Sequence, residues 1–272
     1  MHSAAERGAE RISQEEGVSV EWERLWRIEP ILFDEELITV TVNEINVAPV
    51  LGLLLVRDTI HDAFMSGPDH VVELAIGHAI VVAISLAIDV VIGVSLGVLV
   101  FRRERAANVA LAITSTFLTI PSFALFGLFI PVFGLGYVPA VVALVMYGLL
   151  PILRNTVAGL RSVDPAIAES AQGMGMNARE RLLRIELPLA WPVIITGVRV
   201  STMLLMGIAA IAAVVNGPGL GEDIFAGLAR IGSPTALNLV IGGILGIIVL
   251  ALLFDTFFNL VGKLTTSRGI RD

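Results

Sequence analysis

Five stretches of this chain, Leu74–Phe101, Asn108–Ile130, Val132–Leu153, Leu189–Val215 and Ala236–Gly262, run through Val, Ile, Leu, Ala and Gly without a polar stripe. A soluble amphipathic helix would show one polar face at a period of about 3.6 residues. Each stretch instead meets the roughly 20 residues that a helix needs to cross a hydrocarbon core about 30 Å thick. As buried helices of a soluble core, all five would lack polar partners to cover them. The pattern predicts an all-α, polytopic membrane protein with five core transmembrane helices.

Ahead of the first span the pattern weakens. Val47–Val56 is apolar but ten residues long, too short to cross. Extended back to Leu37 it reaches spanning length only by taking in Asn43, Glu44 and Asn46. An external or surface-lying segment is the preferred expectation, with a sixth span as the alternative. Leu37–Val42 alternates as a short strand would. Residues 1–70 are read as an acidic N-terminal extension without the basic start and apolar run of a signal peptide. Residues 71–265 form the transmembrane domain, and 266–272 a cytoplasmic tail.

Charge supplies the orientation. Arg102, Arg103 and Arg105 follow the first span, Arg154, Arg161, Arg179, Arg181 and Arg184 lie between the third and fourth, and Lys263, Arg268 and Arg271 close the chain. The alternate connections hold only Arg230. Cationic connections stay on the cytoplasmic side, so the chain is expected to enter its first span from outside and to end inside. The net charge of −7 is local, since residues 1–45 carry eleven acids against four Arg. It therefore gives no reason to expect a nucleic-acid partner.

The stretch between Leu153 and Leu187 is polar yet not loop-like. Asp164 before Pro165 is a helix start, a capping carboxylate followed by a proline whose missing N–H costs nothing there. Good helix formers run from Pro165 to Gln172 and stop at Gly173–Gly175. Asn177 and Glu180 have capping-box spacing and open a second helix to Leu187, which Pro188 is expected to end. Two short helices with a glycine bend, ordered without a core of their own, suggest a docking surface at residues 164–187.

These residues resemble the signature of ABC importer permeases, which reads E-A-A, three positions, G, nine positions, I, any residue, L-P. Here it stands as Glu169-Ser170-Ala171, Gly175 and Ile185-Glu186-Leu187-Pro188, with Ser170 the one departure. A small residue replaces a small one, so the helix is expected to survive. The likeness extends over roughly residues 70–265. Leu150–Thr156, Val163-Asp164-Pro165, Gly173–Met176 and Glu186–Ala190 look like the osmoprotectant subgroup, which carries glycine betaine, carnitine, choline and similar compounds. The loop Gly217-Pro218-Gly219-Leu220-Gly221 resembles that subgroup's external segment, although Pro218 and Glu222 depart from the commoner residues. Methionine-importer permeases share parts of both motifs.

The resemblance implies a type I importer permease fold in the inner membrane. It also implies a permease subunit that works by alternating access. Glu169, Ala171, Gly175, Ile185, Leu187 and Pro188 would form the element that couples it to separate ATPase subunits. The other implied partners are a second permease subunit, identical or related, and an extracytoplasmic binding protein, with membrane lipid around them. A permease for another small solute, such as an amino acid, and a stand-alone secondary transporter are the alternatives. Gly175 is expected to make a close bend that a Cβ would obstruct.

Chemistry within the chain is expected to be lacking. A phosphate-binding loop ends in Lys followed by Ser or Thr, whereas the single lysine, Lys263, precedes Leu264. ATP and Mg2+ would therefore bind a partner subunit, and no cofactor is expected here. The four His have no metal spacing and read as interfacial side chains, and Ser122 and Ser201 have no recognisable His and Asp partners. A chain without Cys excludes disulfides, thiolate metal sites and cysteine nucleophiles. Composition agrees with a membrane protein: 56% hydrophobic and 16% charged, with a mean hydropathy of +0.85, against about 25% charged in soluble domains.

Four residues are candidates for the translocation path. Asp89 lies mid-span, where an ionised carboxylate costs at least about 2.5 kcal/mol; it either attracts a cation or hydrogen-bonds a neighbouring helix. Pro121 and Ser122 break the second span, leaving carbonyls that line a cavity or a packed kink. Asn216 precedes the glycine-rich loop. Arg199 is expected to reach the inner interface, and the glycines at 242, 243 and 246 to allow close helix packing. With two Tyr and three Trp, a full aromatic cage for a quaternary ammonium is assigned to the binding protein.

Overall fold

The computed structural model describes residues 68–265 apart from 234. The extension up to residue 67, with its surface segment and its short strand, and the tail 266–272 lie outside the described residues. Within them the chain forms α1 (Pro68–Val100), α2 (Glu104–Thr119), α3 (Ser122–Phe133), α4 (Tyr137–Arg161), α5 (Pro165–Gly173) and α6 (Ala178–Arg181). A π-helical turn (Leu182–Glu186) leads into α7 (Leu187–Ala209), a 3-10 turn (Ala210–Val215), α8 (Gly221–Ala229) and α9 (Ala236–Thr265).

Four stretches are long and apolar enough to cross a membrane, and α2 with α3 makes a fifth if the bent pair is one span. The second span, Asn108–Ile130, is folded by 95° at the break expected at Pro121 and Ser122. Pro121 is the cause. It lacks an N–H and pushes the preceding residue out of the helical region, and Ile120 indeed sits at φ −76°, ψ 126°. The Ile120 carbonyl accepts a hydrogen bond from the Tyr147 hydroxyl at 2.7 Å, so the break is satisfied within the protein. Val132 and Phe133, expected in the third span, belong to α3, and α4 begins only at Tyr137.

Two small-residue seams hold α1, α4 and α7 together. Buried positions on α1 recur at Leu74, His78, Val81, Val82, Ser85, Leu86 and Asp89, one helical face. An added Cβ on Gly93 would come 2.8 Å from Ile152, and on Gly97 2.5 Å from Thr156. The matching order of these contacts makes α1 and α4 parallel. The α4–α7 contacts, Gly159 on Ala190 and Gly197 on Asn155, run in opposite order and are antiparallel. Close backbone approach is how membrane helices gain packing without a hydrophobic drive between them. The main core joins Val81, Val82, Phe126, Leu144, Tyr147, Leu205 and Met206, with α9 against it through half-buried Ile247, Leu250 and Phe254.

Pro188 does not end the helix opened by Asn177. The chain passes from α6 through the π turn into α7 as one helical stretch, Ala178–Val215. The widened turn, closed by the Leu187 N–H on the Leu182 carbonyl, places the missing donor of Pro188 where the ladder is already shifted.

Candidate functional site

The polar stretch forms a helical hairpin at the arginine-rich end. Asp164 caps α5, its Oδ1 accepting from the Ala166 N–H at 2.8 Å. Ser170 turns its hydroxyl onto the Ala166 carbonyl of its own helix at 2.8 Å, so the departure from the family pattern is absorbed locally. The helix closes with the Met176 N–H on the Ala171 carbonyl at 3.1 Å. Gly175 stands at φ +89°, a left-handed value that favours glycine. The close contact expected there is not found: nothing lies within 4 Å of the Cβ position. Within this chain, backbone conformation and not space is what selects glycine. Asn177 then opens α6 with a reciprocal capping box, its Oδ1 accepting from Arg179 and Glu180 while Glu180 accepts from the Asn177 N–H.

The six motif residues divide into two groups. Glu169 and Gly175 are exposed on the hairpin, beside outward-facing Ile167, Met174 and Leu183. Ala171 is buried, Ile185 and Leu187 are half-buried, and Pro188 is exposed at the start of α7. The first group offers a carboxylate with an apolar surround; the second joins that surface to the transmembrane helices.

Glu186, the variable position between Ile185 and Leu187, is the centre of that junction. It is 5% exposed and takes Arg102 Nη2 on both carboxylate oxygens, at 3.1 and 2.9 Å. Arg181 Nε reaches the same group at 2.9 Å, and its Nη1 donates to Gln172 Oε1 at 3.1 Å. One carboxylate thus ties α5, α6 and the π turn to the end of α1. Arg161 adds a second tie, its Nε donating to the Phe101 carbonyl at 2.9 Å. A motif scan passes over Glu186. The available signal was a lone acid at a span entrance, among clustered arginines.

The four path candidates are not gathered at one site. Asp89 is fully buried, packed on Gly148 of α4 with Ser201 of α7 close by. Neither of its oxygens has a hydrogen-bond partner, so the expected bond to a neighbouring helix is not made. Pro121 is exposed and Ser122 half-buried at the break of the second span. Asn216 is exposed at φ 54°, closing the 3-10 turn that follows α7. Beyond it, Gly219 lies over His78 and Leu220 is buried on Gly243 and Gly246. His78 is not interfacial. It is fully buried, 3.2 Å from the Met206 carbonyl, while His70 pairs with Asp223 at 3.2 Å. Among the described residues, no group of three His, Asp or Glu is placed to hold a metal ion.

Residues 89–266 match the family described as binding-protein-dependent transport system inner membrane component. The osmoprotectant import permease protein OsmW of Salmonella typhimurium is 38% identical over 219 residues, 79% of this chain and 100% of that protein. The choline transport system permease protein OpuBB of Bacillus subtilis is 40% identical over 65% of this chain and 79% of its own length. Among solved structures, the inward-facing MetNI methionine ABC transporter superposes with a TM-score of 0.63 at 21% identity, covering 72% of this chain and 96% of that one. At that identity the likeness speaks for the fold alone.

Proposed function

Because the chain belongs to the binding-protein-dependent transport system inner membrane components, a family of multi-pass permease subunits of ABC importers, we propose that it carries quaternary ammonium osmoprotectants into the cell. Glycine betaine, carnitine and choline define the substrate class. The observation that carries this reading is the match along the whole length of an osmoprotectant import permease. The methionine transporter shares the fold at an identity too low to argue for its substrate.

The chain itself is a non-catalytic subunit. Two ATPase subunits bind ATP and Mg2+, and the exposed Glu169, Ile167, Met174 and Leu183 form the face they grip. The arginine-rich ends lie on the cytoplasmic side. A loaded binding protein delivers the solute at the opposite face, near the glycine-rich loop, and a second permease subunit completes the lipid-embedded pathway. When the ATPases close, the hairpin moves with them. Ala171, Ile185, Leu187 and Pro188 pass that motion into α7, and the Glu186 cluster passes it into α1.

The test is uptake in cells that lack betaine, carnitine and choline transport. Expression of this chain with its ATPase and binding protein is expected to restore uptake, and omission of either partner to remove it. Flux driven by an ion gradient without the ATPase, or uptake of methionine but not of any quaternary amine, would overturn the reading.

A further inference from the structure

Arg199 does not reach for the membrane surface. Its Nε and Nη2 both donate to Asp255 Oδ1, at 3.0 and 2.6 Å, and Asn259 donates to Asp255 Oδ2 at 3.0 Å. Arg199 lies about 18 Å along its helix from Leu187, and Asp255 about 15 Å from Thr265. Counted from the span ends Leu189 and Gly262, they lie about 15 and about 10 Å in, between the inner face and the middle of a core about 30 Å thick. The pair is not enclosed: the Arg199 and Asp255 side chains are 34% and 31% exposed on the protomer surface.

A charged pair inside the hydrocarbon core faces a protein interior or a water-filled cavity, because acyl chains offer it no hydrogen bonds. The α1–α4–α7 core lies behind it, so what covers it comes from the open side. Phe258, half-buried, follows Asp255 by one helical turn and shares its face. The Asp255 carboxylate on α9 and the Arg199 guanidinium on α7, held side by side, form a set complementary to a small zwitterion. A carboxylate and a ring face attract a quaternary ammonium, and a guanidinium is suited to a carboxylate.

We propose that Arg199 and Asp255 line the translocation path and bind the passing substrate, Asp255 meeting the quaternary ammonium and Arg199 the carboxylate of a betaine. The assignment rests on the osmoprotectant reading for its ligand, but not for its place on the path. Choline has no carboxylate and needs Asp255 alone. The interaction is brief by construction, since the two groups return to each other when the solute leaves.

The experiment uses the assembled transporter in vesicles, with saturating loaded binding protein. Arg199→Gln is expected to lower glycine betaine uptake about tenfold, the loss of one hydrogen bond to a charged group, and to leave choline uptake within about twofold. Asp255→Asn is expected to lower both. If either single variant fails to assemble, the double variant R199Q/D255N, neutral and of similar shape, takes its place and is expected to lower uptake of both solutes; unchanged uptake would overturn the substrate contact. Position is read separately. The chain has no native cysteine, so Leu252→Cys, on the exposed face one turn before Asp255, reports alone. Labelling by a membrane-impermeant thiosulfonate, slowed by substrate, is expected. An unreactive thiol that forms a disulfide between two permease copies would overturn the proposal in favour of a subunit contact, and one that does neither would place the pair against lipid. Equal loss of betaine and choline in Arg199→Gln would overturn the substrate contact. Failure of the unaltered transporter to carry either solute would sink the osmoprotectant reading, while labelling would still decide whether the pair lines the path.

Discussion

Gly175 separates two physical reasons for a glycine in a signature motif. Its φ of +89° lies in the region that side chains with a Cβ adopt at a cost of about 1–3 kcal/mol, whereas the space around it is open. Gly175→Val is therefore expected to abolish uptake without keeping the protein from the membrane. Gly175→Asn, the residue that best tolerates left-handed backbone after glycine, is expected to retain most of it. Were space the constraint, both would fail alike; side-by-side uptake at matched membrane abundance decides. Asp89 shows the limit of reading a single position. Its intramembrane acid was legible, but its enclosure between Gly148 and Ser201 depends on two other helices, and nothing in the local sequence reports them.

At the scale of elements, the hairpin was legible because its determinants are local. The Asp164 cap, the Asn177–Glu180 box and the glycine stop each act within five residues, and each forms as expected. The joins between elements were not. Pro188 reads as a helix end, yet the π turn carries the helix through it. Glu186 gains its meaning from Arg102, 84 residues away, and Arg199 from Asp255, 56 away. Pairings at such separation are tertiary facts. The Glu186 cluster makes a prediction at this scale. Removing one member of a buried pair costs about 3–5 kcal/mol, and less here because Arg102 is 44% exposed. Glu186→Gln is expected to leave the assembled transporter intact and to cut the solute imported per ATP hydrolysed severalfold. Unchanged stoichiometry, with only a lower melting temperature, would reduce the cluster to a structural strap.

For the whole molecule, five apolar stretches gave the fold class, and helix packing supplied what composition could not. The break of the second span was legible in Pro121, but the tyrosine that satisfies its carbonyl stands in another helix. The parallel seam of α1 and α4 depends on glycines whose partners lie beyond any sequence window. Sidedness is testable on the cysteine-free chain. Met174→Cys, 72% exposed on the hairpin, is expected to react with an impermeant maleimide only in inside-out vesicles, and binding of the ATPase is expected to shield it. Labelling in right-side-out vesicles would invert the topology and remove the docking assignment.

The helical run from Ala178 to Val215 spans 38 residues without a break, a length of about 57 Å at 1.5 Å per residue. Such a rod is a lever arm. A tilt of about 5° at the gripped end would sweep the far tip by about 5 Å at that length, close to the width of a trimethylammonium group. With the hairpin docked as proposed, the small stroke of the ATPases would be geared up to the dimensions of the solute.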